Sequence, residues 1–114
     1  MANILIIDDV ESIALLLSKF ISLKFPNQSI DICYDPQCAI NLYREKKYDI
    51  VITDDNLNDE ISGEKLYYIL KPMHPAIFIC VTGKGRNKYP FDDLLIKTVG
   101  IQEMTNVLSK YISS

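Results

Sequence analysis

Six polar residues in this 114-residue chain draw attention because each directly follows, or closes, a short apolar run. Asp8 and Asp9 follow Asn3-Ile4-Leu5-Ile6-Ile7, and Asp54 and Asp55 follow Ile50-Val51-Ile52-Thr53. Thr82 follows Ala76-Ile77-Phe78-Ile79-Cys80-Val81, and Lys97 follows Leu94-Leu95-Ile96. Carboxylates held about 4 Å apart at an effective dielectric near ~20 repel one another by roughly 4 kcal/mol per pair. Gathered in one place, such groups need a cation. Hard oxygen donors suit Mg²⁺, which takes octahedral sites built from one or two carboxylates, several waters and a phosphate.

Whether they gather depends on the elements that carry them. An apolar run of four to six residues bounded by turn residues reads as a strand buried on both faces of a parallel sheet. The segments between the runs have helical spacing. Val10–Lys24 places Ile13, Leu16, Leu17 and Phe20 on one face and stops at Pro26 and Asn27. Asp35-Pro36 supplies an N-cap and a first-turn proline for a helix to about Lys47, with Ala39, Leu42 and Tyr43 facing inward. Ser62 or Gly63 opens a short helix through Leu70, ended by Pro72. A last helix is expected over Ile101–Ile112, with Ile101, Met104, Val107, Leu108 and Tyr111 on one face. Ser29–Cys33 alternates in the manner of a half-exposed edge strand.

Strands alternating with helices predict an α/β three-layer sandwich with right-handed crossovers. Five strands in this length fit the flavodoxin-like order 2-1-3-4-5, where ligands bind at the carboxyl ends of the strands. Strands one and three are then neighbours. Asp8, Asp9, Asp54, Thr82 and Lys97 come to one rim.

Composition sets the outer limits. At 13.0 kDa the chain is expected to form one domain over residues 1–114. Apolar residues make up 48%, too many for a disordered chain. Fifteen acidic against twelve basic residues give a formal net charge of -3, so no nucleic-acid footprint is expected. Nothing reads as a signal peptide or membrane span, which makes a cytoplasmic location the default expectation. Cys33, Cys38 and Cys80 form no C-x-x-C pattern and read as reduced packing residues. His74, the single histidine, sits between Pro72 and Pro75 and reads as a surface residue.

In this arrangement the whole chain resembles the receiver domain of bacterial two-component response regulators, the CheY-like fold. The resemblance rests on Asp8-Asp9 after strand one, Asp54 after strand three, Thr82 after strand four and Lys97 after strand five. It implies that Asp9, Asp54 and the backbone carbonyl of Asn56 coordinate Mg²⁺, with Asp8 acting mainly through water. It implies that Asp54 is the phosphoacceptor and forms an aspartyl phosphate, with Lys97 and Thr82 meeting the phosphoryl oxygens. The implied donor is a phosphohistidine on a histidine kinase or phosphotransfer protein. The output is binding of a downstream protein or onward transfer of the phosphoryl group. Such a protein catalyses its own phosphorylation and dephosphorylation but is not a turnover enzyme.

The chain also departs from the family. Between strands four and five, residues 82–93 contain Gly83, Gly85 and Pro90 and no helical period, so the fourth helix is expected to be absent or stunted. The family's usual dimerisation face would be altered with it. Lys84, Arg86 and Lys88 make this loop basic. Thr98 follows Lys97 where the family has a cis proline, Leu94 stands where an aromatic switch residue is common, and Asn58 replaces a proline. Asp55 alternates to the face opposite Asp54 and is left out of the metal site. These departures support an alternative, a pseudo-receiver that binds partners with little or no phosphorylation. A haloacid dehalogenase type of phosphohydrolase would want Asp-x-Asp, and here Asp8 and Asp9 are adjacent.

Overall fold

The computed structural model describes residues 1–57, 61–83, 87–97 and 100–112. Within them five strands, β1 (Asn3–Ile7), β2 (Ser29–Cys33), β3 (Ile50–Asp54), β4 (Ile77–Thr82) and β5 (Asp93–Ile96), form one parallel sheet in the order β2-β1-β3-β4-β5. Four helices are described: α1 (Glu11–Lys24), α2 (Pro36–Glu45), α3 (Gly63–Leu70) and α4 (Ile101–Leu108). The fold is flavodoxin-like, as the strand and helix periods require. α4 is a turn shorter than the expected 101–112. Its last apolar residues, Tyr111 and Ile112, still pack on the core after the helix ends.

β1, β3 and β4 are buried on both faces because helices cover both sides. On one side α1 and α4 set Ala14, Leu17, Ile21, Val107 and Leu108 against Ile4, Ile6, Ile52 and Ile79. On the other, α2 and α3 set Ala39, Tyr43, Leu66 and Leu70 against Leu5, Ile7, Val51 and Phe78. The N-termini of α2 and α3 are capped by Asp35 and Ser62, whose side chains accept the N–H groups of Cys38 and Lys65.

α1 corrects one expectation. Its buried face is Ala14, Leu17 and Ile21, while Leu16 is 71% exposed and Ile13 and Phe20 are half-buried. The helix is apolar around much of its circumference, and the small Ala14 side chain lets it lie close on the sheet. The row containing Leu16 is turned outward. Ile13, Leu16 and Phe20, with Val81, Leu95 and Met104, line a groove of about 330 Å³ that opens beside Lys97.

No helix stands between β4 and β5 among the described residues, in line with the expected loss. Phe91 takes over the cover: it is buried and meets the Tyr67 ring edge-on at 5.6 Å between centroids. The strap is tied down where the Asp92 carboxylate accepts the Phe78 N–H at 2.8 Å and the Asp92 N–H donates to the Phe78 carbonyl at 2.8 Å. Tyr89 is exposed. Asn58, Lys84, Arg86 and Thr98, and with Thr98 the geometry of the peptide after Lys97, lie outside the described residues.

Two further expectations are overturned. Cys33 at the end of β2 and Cys38 in the first turn of α2 form a disulfide, which leaves Cys80 as the one cysteine outside it. The short β2–α2 turn brings their Cα atoms to 5.7 Å, within the ordinary span of a disulfide. His74 is not a plain surface residue. Its ring stacks on Tyr43 at 3.9 Å between centroids, its carbonyl accepts the Tyr43 hydroxyl at 2.7 Å, and its Nε2 is buried without a hydrogen-bond partner.

Candidate functional site

The strand ends explain why the acidic residues meet. β1 pairs with β3 in the register Ile7↔Thr53, so the residues immediately beyond, Asp8 and Asp54, leave adjacent strands at the same level. Ligand oxygens of Asp8, Asp9 and Asp54 all lie within 4.8 Å of one another. Asp8 and Asp54 are buried, while Asp9 is exposed. Asp8 does not cap α1, whose N-cap is Val10 with no side-chain cap. Its Oδ1 instead accepts the Val10 N–H at 2.9 Å. Its N–H donates to the Cys33 carbonyl at 3.1 Å, which fixes the start of the loop.

Burial raises the Asp8 pKa above its ordinary value. The Val10 N–H opposes that rise, and the negative charges of Asp54 and Asp9 add to it. A buried carboxylate strained by like charges is a site that favours a cation.

One cation is already supplied by the chain. Lys97, just beyond β5, places its ammonium 3.0 Å from Asp54 Oδ1. Its N–H donates to the Thr82 carbonyl at 2.8 Å, so the lysine leaves the sheet from a fixed backbone. Burial works to lower the Lys97 pKa. The hydrogen bond and charge of Asp54, with Asp8 and Asp9 behind it, outweigh that and raise it. Asp54 Oδ1 also accepts the Asp55 N–H at 2.8 Å.

The loop after β3 is held close to the site by Gly63. The Gly63 N–H donates to the Asp55 carbonyl at 2.9 Å, and its Cα packs so tightly on the Asp54 carbonyl oxygen that a Cβ would overlap it. Asn56 lies on this loop, bridged to Ser62. Thr82 is buried at the end of β4, and Gly83 beside it has no described neighbour within 4 Å of where a Cβ would be.

A family model for the response regulator receiver domain matches residues 4–110. The chain belongs to this family. Response regulator ArlR of Staphylococcus haemolyticus is 28% identical over 111 residues, covering 91% of this chain and 49% of that protein. The chain thus spans about half the length of that curated relative. A two-component response regulator from Clostridium difficile superposes with a TM-score of 0.84 at 23% identity, over 97% of this chain and 95% of the other. Response regulator protein TrrA from Thermotoga maritima, in complex with Mg²⁺–BeF, gives 0.85 at 22% identity, over 98% and 100%. At these identities the structural likenesses speak for the fold. Receiver domains are signalling modules rather than turnover enzymes, and they bind Mg²⁺ at an acidic pocket. They work with histidine kinases and downstream effectors. No helix among the described residues of this receiver is long and apolar enough to cross a membrane.

Of the residues expected at the site, the structure gathers Asp8, Asp9 and Asp54, with Lys97 bonded to Asp54. Thr82 reaches the same rim, but its hydroxyl donates to Asp55 Oδ2 at 3.3 Å. Among the described residues the clustered carboxylates are those of Asp8, Asp9 and Asp54. The hold of Asp55 on Thr82 is the contact that the strand-by-strand reading missed. The signal lay in the register: Asp54 pairs with Val81, so Asp55 must stand opposite Thr82.

Proposed function

We propose that this receiver accepts a phosphoryl group on Asp54 and passes on a signal through the surface that this event reshapes. The observation that carries the reading is the trio of clustered carboxylates with the Lys97 ammonium 3.0 Å from Asp54. Donor chemistry fits Mg²⁺: every ligand is a hard oxygen, and Asp8 is a buried carboxylate burdened by like charge. Asp9 and Asp54 with the Asn56 carbonyl would hold the ion directly, and Asp8 through water. When bound, the ion offsets negative charge on the transferring group.

The remaining chemistry belongs to the chain. A carboxylate oxygen of Asp54 attacks phosphorus in line, forming an acyl phosphate as the bond from phosphorus to the donor's imidazole nitrogen breaks. The donor nitrogen leaves with the bonding pair. Lys97 turns its ammonium from the carboxylate toward the phosphoryl oxygens that now carry the charge. Thr82 donates its hydroxyl to another of them. A histidine kinase or phosphotransfer protein is the proposed donor, and the apolar groove beside Lys97 gives its approaching segment a surface to rest on. A phosphoryl group adds about -1.5 to -2 charge and three acceptor oxygens, enough to redraw the Thr82 end of β4 for a downstream protein.

The test is incubation with acetyl phosphate and Mg²⁺, followed by intact mass. One phosphoryl adduct is expected on the wild type and on Asp55→Ala, and none on Asp54→Ala. Absence of any adduct under conditions that label ordinary receivers would point to a pseudo-receiver that only binds partners.

A further inference from the structure

Thr82 has one hydroxyl proton to give. A threonine hydroxyl donates a single hydrogen bond at a time, although it can accept others. Among the described residues the Thr82 hydroxyl donates to the Asp55 carboxylate, 3.3 Å from Thr82 Oγ1. Thr82 itself is buried, so its hydroxyl has little access to bulk water. The Asp55 carboxylate is placed by the backbone. Its N–H is shared between Asp54 Oδ1 at 2.8 Å and the Val81 carbonyl at 2.9 Å, the latter continuing the β3–β4 pairing one residue past the strand. Its carbonyl takes the Gly63 N–H. Asp55 is therefore fixed at both ends of its peptide, with its side chain beside β4. A carboxylate placed this way competes with any acceptor that later forms on Asp54.

We propose that Asp55 is a positioning residue that holds the Thr82 hydroxyl away from Asp54 and sets a threshold for the response. A phosphoryl group on Asp54 must draw the hydroxyl from an acceptor that is itself charged. Hydrogen bonds to ionised acceptors are stronger than neutral ones, but at 3.3 Å this one is long for a hydroxyl on a carboxylate, so Asp55 opposes the exchange without preventing it. Asp55 is half-exposed and can be rehydrated when Thr82 leaves, which keeps the exchange reversible. The balance thus favours the resting arrangement more than it would with an uncharged residue at position 55. This inference rests on the reading of Asp54 as phosphoacceptor.

The experiment is a double-mutant cycle read by affinity for beryllofluoride, a phosphoryl mimic, at fixed Mg²⁺. The proteins are the full chain as wild type, Asp55→Ala, Thr82→Val and the double variant, with Asp55→Asn as a second form that keeps an acceptor but not its charge. Asp55→Ala is expected to tighten beryllofluoride binding by about fivefold when Thr82 is present, the equivalent of one ordinary hydrogen bond, since the contact is long. With Val at position 82 the same change should alter affinity by less than about twofold beyond a general charge effect, because there is no hydroxyl to release. Asp55→Asn should fall between wild type and Asp55→Ala, again only with Thr82 present. An equal gain in both backgrounds would reduce Asp55 to a nearby negative charge and overturn the proposal, as would a loss of affinity in Asp55→Ala. If the wild type binds Mg²⁺ but no beryllofluoride at any concentration, the phosphoacceptor reading falls and this inference falls with it. A failure of coupling alone leaves that reading standing.

Discussion

Lys97 and Asp54 form an ion pair across the open end of the sheet, 3.0 Å between Nζ and Oδ1, with Asp54 nearly closed to solvent and Lys97 about one-third exposed. The lysine partly balances three carboxylates. A divalent ion binding the native state should therefore stabilise the protein. Mg²⁺ at 100-fold above its Kd is expected to add about 2.7 kcal/mol, seen as a rise in melting temperature. The rise should vanish in Asp54→Ala, and NaCl of equal ionic strength should not reproduce it. A melting temperature unmoved by millimolar Mg²⁺ would remove the metal from the proposal.

Gly63 is the narrowest point of the site's scaffold. A methyl group there meets the Asp54 carbonyl and the Asp55 backbone, neither of which is the movable end of a side chain. Gly63→Ala should destabilise the chain by roughly 1–3 kcal/mol, measured by chemical denaturation, because the loop must shift to admit it. It should also weaken Mg²⁺ binding, since that loop carries Asn56.

Phe91 covers the sheet where the described residues between β4 and β5 form no helix. If its ring closes the α3 side of the sheet, Phe91→Ala should cost about 3–5 kcal/mol, the usual penalty for emptying a buried aromatic site. Tyr89→Ala, two residues away at an exposed position, should cost clearly less than Phe91→Ala. Equal effects at the two positions would contradict the packing described here.

Asp31 offers a pH test remote from the acidic rim. Its carboxylate accepts the Lys46 ammonium at 2.8 Å and the Tyr48 hydroxyl at 2.6 Å, tying β2 to the connection between α2 and β3. The hydrogen bond from Lys46, then that from Tyr48, lowers its pKa below the ordinary 3.8. A lowered folded-state pKa gives stability that is complete above the unfolded value and is lost as pH falls through the folded one. Asp31→Asn should therefore cost about 1 kcal/mol at neutral pH, a modest figure because Lys46 is well exposed. The gap from wild type should close as pH falls below 3.8.

The sheet order and the acidic rim were legible because both follow from short-range signals. A run such as Ile50-Val51-Ile52 reveals a buried strand, and its end reveals where Asp54 must emerge. What stayed hidden depended on rotation and on contacts between elements. The period of α1 allowed more than one inward face, and only packing of Ala14 on the sheet chose between them. Cys33 and Cys38 lie five residues apart, a spacing that says nothing until the turn folds back on itself. His74 gave no sign that its ring would lie flat on Tyr43, a partner 31 residues away. Alternation along β3 fixes only the face that Asp55 takes, whereas its contact with Thr82 is set by the neighbouring strand.

The strand that follows the β4–β5 connection, β5, has a last implication. β5 is a four-residue margin, paired on one side only, and three of its four residues are incompletely shielded. Such margins breathe before the interior of a sheet does, and deuterium should enter their amides first. Because Lys97 is anchored at the far end of that strand, each local opening would carry the ammonium off the carboxylates while the rest of the molecule stays folded. The working lifetime of the charge arrangement then depends on how often this edge strand opens as well as on the global stability of the fold.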